Sequence, residues 1–314
     1  MLNTRTMFRR VGTWCLAFLS SLMTLHLSAA TDPEETHAMS DSAAMQVELL
    51  QKPSGLREIL LYDSSANVTI DPELWERFFG QVMVRNVSVP TLIPVLPALE
   101  KRNGKAIVIV PGGGYQFISI ENEGFGIAEQ LVKEGFSTFI VKYRLPRTPV
   151  DAQQNQVQLA QLFGNLGKKK LADWKAAVDD VAATLKLVSS RASEWGIDPE
   201  RIGIVGFSAG ARTTIRLLEQ RAEASLADHI ALLYPPMDQV VEAGPRPPLF
   251  LAIAADDPLF KQGGMALPEA WYQQSKDIEM HVYSGGSHGF GSRSTGTTSD
   301  IWMANYLNWL KHVK

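Results

Sequence analysis

Arg201-Ile-Gly-Ile-Val-Gly-Phe-Ser-Ala-Gly210 decides how this chain is read. Its first half is an apolar strand. The strand breaks into Gly206-Phe-Ser208-Ala-Gly210, and a helix-forming stretch follows. A serine needs that setting to become a nucleophile, because a turn this tight leaves no room for side chains at the flanking positions, and glycine occupies both. The bend pushes the Ser208 hydroxyl out of the sheet. It also sets the next amides, beginning with Ala209, at a helix N-terminus, where they can stabilise an anion. A bare G-x-S-x-G can arise by chance; the strand before it and the helix after it set this one apart.

A nucleophilic serine needs a base, and in a sheet of this type the chain order is Ser, then Asp or Glu, then His. Six histidines are available. His26 and His37 precede the serine, His229 comes before any acid at a strand end, His281 lies inside a strand, and His312 ends the last helix. That leaves His288, in the loop Ser284-Gly-Gly-Ser-His-Gly-Phe-Gly291 just after the last strand. The acid should leave another strand end between these two positions. Leu249-Phe-Leu-Ala-Ile-Ala254 runs into Ala255-Asp256-Asp257-Pro258, so both aspartates are candidates. The acid's role is to hold the imidazole tautomer and stabilise the imidazolium.

An oxyanion hole completes such a site. The buried run Ala106-Ile-Val-Ile-Val110 opens into Pro111-Gly-Gly-Gly-Tyr115, where three glycines let backbone N–H groups approach a substrate closely. Amides of this loop, with that of Ala209, are the expected donors. A phosphate-cradling loop would need a Lys-Ser/Thr or a second Rossmann glycine pattern, and neither follows. Tyr115 and Phe290 adjoin the two loops and are expected to wall a narrow acyl pocket.

The first 30 residues read as a secretory signal. Arg5, Arg9 and Arg10 form a basic region, Val11–Leu27 an apolar one, and Ser28-Ala-Ala30 a cleavage point. A retained membrane anchor is the alternative, but the apolar stretch is short for a stable span. Cys15 is the sole cysteine, so cleavage would leave none; disulfides, thiolate metal sites and a cysteine nucleophile drop out together. Losing three arginines and no acids would take the formal charge from −3 to −6, which argues against a nucleic-acid partner. No cofactor and no metal are expected. The length of 314 residues, 45% of them apolar, suits one ordinary globular enzyme domain after the leader.

Residues 31–80 are expected to form a leader and N-terminal segment, with a short helix over Pro72–Phe79, and residues 81–314 the catalytic domain. Within the domain, short apolar strands alternate with amphipathic helices, among them Glu123–Glu134 and Leu171–Ala192. That alternation implies a mostly parallel α/β sheet covered on both faces. Residues 147–170, polar and rich in glutamine, interrupt it; they read either as a lid or rim over the site or as a surface elaboration.

Taken as a set, Pro111–Tyr115, Val141-Lys-Tyr-Arg-Leu-Pro146, Glu194-Trp-Gly-Ile-Asp-Pro-Glu-Arg-Ile202, Gly206–Gly210 and Ser287-His-Gly-Phe290 resemble the α/β-hydrolase superfamily. The likeness runs over roughly residues 80–312 and is nearer to the acetyl xylan esterase-like carbohydrate esterases of bacteria. It implies an α/β-hydrolase fold of about eight mostly parallel strands, with Ser208 as nucleophile, His288 as base, Asp257, before its proline, as the acid, and Gly113 or Gly114 with Ala209 as the oxyanion donors. Two positions depart from the family pattern. The elbow continues as Ala211-Arg212 where relatives often have Gly-His, and Asp180 lacks the arginine usually found shortly after it.

The function these readings imply is metal-independent hydrolysis of a short acyl ester, such as acetyl on a sugar or polysaccharide, by an exported serine esterase. A general carboxylesterase or lipase is the alternative. A prolyl-oligopeptidase-type peptidase would carry a large N-terminal propeller, which about 80 residues cannot build. Glycoside hydrolysis needs two carboxylates flanking the bond, whereas Asp256 and Asp257 sit side by side. An intact triad also argues against a catalytically inactive binding protein.

Overall fold

The structure is a computed structural model describing residues 47–63, 72–239, 241–275 and 277–313. The expected signal peptide and the first part of the leader lie outside the described residues. Eleven strands and seven α-helices are described, in the compact unit Ser42–Lys314. The strands are β1 (Glu48–Leu50), β2 (Ile59–Leu60), β3 (Leu74–Phe78), β4 (Gln81–Arg85), β5 (Thr91–Val95), β6 (Ala106–Val110), β7 (Ser137–Lys142), β8 (Ile202–Phe207), β9 (His229–Leu233), β10 (Leu249–Ala254) and β11 (Ile278–Tyr283). The helices are α1 (Gly126–Lys133), α2 (Ala152–Gly164), α3 (Lys175–Ser190), α4 (Ala209–Gln220), α5 (Pro258–Gly263), α6 (Ala266–Gln274) and α7 (Trp302–Trp309).

Eight strands form the main sheet in the order β11-β10-β9-β8-β6-β7-β5-β2. From β11 to β7 every neighbour pair is parallel; β5 and β2 close one edge antiparallel. Helices on both faces bury the central strands completely, so β6 and β8 carry continuous apolar runs rather than an alternating pattern. The strand order reverses direction at β6 and β8. The loops that leave these two strands at their carboxyl ends therefore part to opposite sides, and the crevice between them is where such sheets bind ligands.

Two expectations change at the N-terminal side. Pro72–Phe79 does not form a helix. Leu74–Phe78 is strand β3, paired with β4 in a three-stranded antiparallel sheet with β1. The turn between them is Phe79-Gly80, both at positive φ (49° and 71°), the two-residue geometry that matches strand twist in a hairpin. Burial of Trp75 and a bidentate bond from Arg85 to Glu76, both fully buried, hold the extended form. The boundary expected between residues 80 and 81 consequently falls inside a hairpin, and residues before it belong to the same compact unit. The expected helix at Glu123 also begins differently: Glu121–Phe125 is a π-helical turn that runs directly into α1.

Candidate active site

Ser208 sits at the turn between β8 and α4 with φ 48° and ψ −112°, a conformation that costs energy for any residue with a Cβ. The neighbouring backbone imposes it. A Cβ on Gly210 would lie 2.0 Å from the Val110 carbonyl oxygen, and one on Gly206 would lie 2.7 Å from Thr214 Oγ1. Both positions are closed to any larger residue, and the Ser208 amide is anchored to the Leu233 carbonyl at 3.0 Å. Strain at Ser208 is thus held by packing on either side of it.

The hydroxyl is 2.8 Å from His288 Nε2, and His288 Nδ1 is 2.8 Å from Asp257 Oδ2. A carboxylate can only accept, so Nδ1 carries the proton and Nε2 is left free to accept from Ser208. Asp257 is fully buried, and its other oxygen accepts from the Leu259 amide at 2.7 Å, capping α5 ahead of Pro258. One side chain therefore both starts a helix and orients the imidazole. Asp256 is exposed and instead accepts from the Ser287 amide at 2.8 Å, tying down the histidine loop. The other described histidines lie apart from Ser208. His229 is buried against Trp309, His281 bonds Glu279, and His312 bonds its own helix.

Ser208, His288, Gly113 and Gly114 open onto one cavity of about 1100 Å³. Gly113 (φ 127°) and Gly114 (φ 59°) require glycine for space as well as for φ, since a Cβ would meet the Phe117 carbonyl at 2.0 Å and Leu162 Cδ1 at 2.7 Å. Ala209 is fully buried as the first residue of α4, where amides have no partner within the helix. Gly113 and Gly114 stand on the loop after β6, and Ala209 directly follows the serine at the start of α4.

Tyr115 and Phe290 do not wall the cavity. Tyr115 is buried with its hydroxyl 3.2 Å from the Ala209 carbonyl and 3.0 Å from Thr213 Oγ1; burial pushes its phenol up to about 12. Phe290 is buried among Tyr234, Tyr283 and Trp302. Each follows a glycine loop in sequence, but each turns inward to anchor it. The aromatic surface of the cavity comes from Phe78, Phe79, Phe117 and Phe163. Phe79, on the hairpin turn, meets Phe163, on α2, edge to face at 6.2 Å.

Helix α2, capped by Asp151 through the Gln154 amide, forms one side of the cavity and carries Gln154, Gln158 and Gln161 into its lining. Spacings of four and three residues put those amides on one helix face. The two departures from the family pattern lie elsewhere. Arg212 is buried and bonds Asp173 at 3.0 Å. Asp180, fully buried, is met by the Arg144 guanidinium at 2.6 Å and by Tyr62 at 2.9 Å, so its arginine comes from the segment after β7. Neither residue lines the cavity.

Two residues at the site carried no signal in the sequence. Asn122 and Glu123, in the π-turn, are both nearly fully buried although polar, and both line the cavity. A buried carboxyl beside an elbow is recognisable only once the fold brings it there.

Comparison with known proteins bears on this geometry. The sequence profile of the dienelactone hydrolase family matches residues 94–313, well over half of the chain. The chain belongs to this family. Among curated relatives it is similar to an acetylxylan esterase of Xylanibacter ruminicola, 25% identical over 249 residues, which are 68% of this chain and 47% of that protein. The chain thus spans about half the length of the curated relative that it matches. Among solved structures it is similar to an acetyl ester-xyloside bifunctional hydrolase of Caldicellulosiruptor lactoaceticus (TM-score 0.57, 20% identity, covering 82% of this chain and 96% of that one). It is also similar to the carboxylesterase Cest-2923 of Lactobacillus plantarum (TM-score 0.54, 18% identity, covering 85% and 98%). The fold of this dienelactone hydrolase family member is the α/β-hydrolase fold.

Proposed function

We propose that this chain is a serine carboxylic-ester hydrolase that removes short acyl groups, acetyl foremost, from a sugar or polysaccharide. The observation that carries this reading is the hydrogen-bonded line from Ser208 through His288 to buried Asp257, ending at a glycine loop and a large open cavity. In the proposed reaction His288 takes the Ser208 proton as the oxygen attacks the ester carbonyl. The amides of Gly113, Gly114 and Ala209 stabilise the developing oxyanion, and the imidazolium returns the proton to the departing alcohol. His288 then activates water to release the acid from the acyl-enzyme. Turnover of nitrophenyl acetate, abolished by a serine-directed organophosphate, is the expected result; a protein that hydrolyses no ester under any condition sinks the proposal.

Support for a carbohydrate leaving group comes from the lining. Phenylalanine faces can stack on sugar rings, while the Gln154, Gln158 and Gln161 amides both donate to and accept from hydroxyls. The relative named an acetylxylan esterase points the same way. A short acyl preference is favoured by Leu162, whose methyl groups pack directly over Gly114 and restrict the space above the oxyanion loop. We expect kcat/KM to fall steadily from acetyl to octanoyl nitrophenyl esters and acetate to be released from acetylated xylan. A methylene that fits a pocket contributes only about 1–3 kcal/mol, so this decline requires a wall. A profile rising to octanoyl, with no acetate from any acetylated sugar, would indicate a lipid or general carboxylesterase.

The reading also includes export directed by residues 1–30, which suits a polymeric substrate. Activity should survive dialysis against EDTA, because the serine, histidine and aspartate supply nucleophile, base and orienting charge. Reversible loss restored by a divalent ion would count against the mechanism.

A further inference from the structure

We propose that the π-turn Glu121–Phe125 is the positioning element of the site, with Glu123 setting the oxyanion loop and Asn122 the histidine loop. The inference rests on the esterase reading above and names residues that act through the reacting groups rather than on them.

Three consecutive side chains of this turn reach three different parts of the structure. Glu121 accepts from the Val82 amide of β4 at 2.6 Å. Asn122 clamps the loop beyond His288: its Oδ1 accepts from the Ser292 amide at 2.9 Å and the Arg293 amide at 3.2 Å, and its Nδ2 donates to the Gly289 carbonyl at 3.1 Å. Contact there is tight enough to exclude a side chain, since a Cβ on Gly291 would lie 2.4 Å from Asn122 Nδ2. Glu123 turns the other way. Its Oε2 accepts from the Gly112 amide at 2.6 Å, and its Oε1 accepts from the Tyr234 hydroxyl at 2.7 Å. Gly112 immediately precedes the two expected oxyanion glycines, and a Cβ there would lie 2.8 Å from Ser208 Cβ. Tyr234, held at φ 38°, presses edge-on against the His288 ring at 5.0 Å between centroids.

Successive side chains of any helical turn project about 100° apart, so three in a row can serve three different neighbours, and π-turns such as this one are frequent at functional sites. Burying a carboxyl is costly, and desolvation pushes that of Glu123 upward. What Glu123 provides is two acceptors at fixed separation. One fixes the loop whose amides must meet an oxyanion; the other fixes the phenol that packs on the base. Misplacing donors by a fraction of an ångström weakens stabilisation of charge that develops only in the transition state, so kcat should suffer and KM should not.

The test compares Glu123→Ala, Glu123→Gln and Glu123→Asp with the wild type on nitrophenyl acetate, counting competent sites by an organophosphate burst. Glutamine can accept from Gly112 with its oxygen and donate to Tyr234 with its amide, so it preserves the bridge without charge. Aspartate is one methylene short and reaches a single partner. The expected result is an alanine variant about 10²-fold lower in kcat per titrated site with KM within about threefold, and a glutamine variant within about fivefold of wild type. Should the alanine variant fail to fold, the glutamine variant must still exceed the aspartate variant by about tenfold in kcat. Equal kcat per site across the series, or losses confined to KM or to the number of competent sites, would overturn the inference. A wild type with no ester turnover would instead overturn the functional reading itself, so the two failures are distinct.

Discussion

Ser208→Ala should lower ester turnover by about 10⁵- to 10⁶-fold, the scale seen when the nucleophile of a triad is removed. The protein should stay folded. Among the described residues Ser208 Oγ bonds the largely buried His288 ring, and alanine occupies the same strained backbone with a Cβ of the same size. Far-ultraviolet circular dichroism and a melting temperature within a few degrees of wild type would establish that. A purified variant that keeps more than a small fraction of wild-type turnover would show that another group attacks the ester.

Asp257→Asn should cost about 10⁴-fold in kcat. Asparagine retains an oxygen to cap the Leu259 amide, so α5 and the strand end persist. Its amide group, however, presents N–H to His288 Nδ1. The imidazole must then carry its proton on Nε2, where it can no longer accept from Ser208. Asp256→Asn keeps its acceptor for the Ser287 amide and lies in solvent, so it should change kcat by no more than about threefold. The pair forms an internal control on one turn of chain. A larger loss at Asp256 would mean that the loop rearranges to recruit the other carboxylate when substrate binds.

Much of the architecture is legible locally. Strands buried on both faces must be apolar throughout, so Ala106–Val110 and Ile202–Phe207 announce themselves. The elbow is legible for a related reason. Its backbone cannot form unless glycine stands at 206 and 210, and that requirement is written in residue type. Loop glycines at 113 and 114 follow the same logic, with φ values that disfavour any other residue. The β3–β4 hairpin was harder to see. Leu-Trp-Glu-Arg-Phe-Phe carries no clean alternation, because Glu76 is buried against Arg85 and the polar positions do not mark the solvent side.

The cavity shows the limit from the other side. Tyr115 and Phe290 adjoin glycine loops in sequence, yet both side chains turn inward to hydrogen bonds and aromatic neighbours. Phe79 and Phe163, 84 positions apart, instead meet at the cavity through an edge-to-face contact. Adjacency along a chain says which loop a side chain belongs to, and not which way it points.

By itself the sequence determined the elements whose physics is local: buried parallel strands, the glycine-enforced turn at Ser208, the glycine loop after β6 and the order of serine, acid and histidine. Tertiary structure alone decided what depends on partners far along the chain. Asp256 and Asp257 are chemically identical neighbours, and each bonds a residue 31 positions away, Ser287 for one and His288 for the other. The resemblance points to Asp257 by its proline, but which of them meets the imidazole depends physically on how β10 and β11 lie side by side. Asn122 and Glu123 are the same case. Their burial and their reach to two separate loops exist only after the sheet has closed around the π-turn, because a polar side chain acquires its role from the unsatisfied groups that folding brings within 3 Å of it.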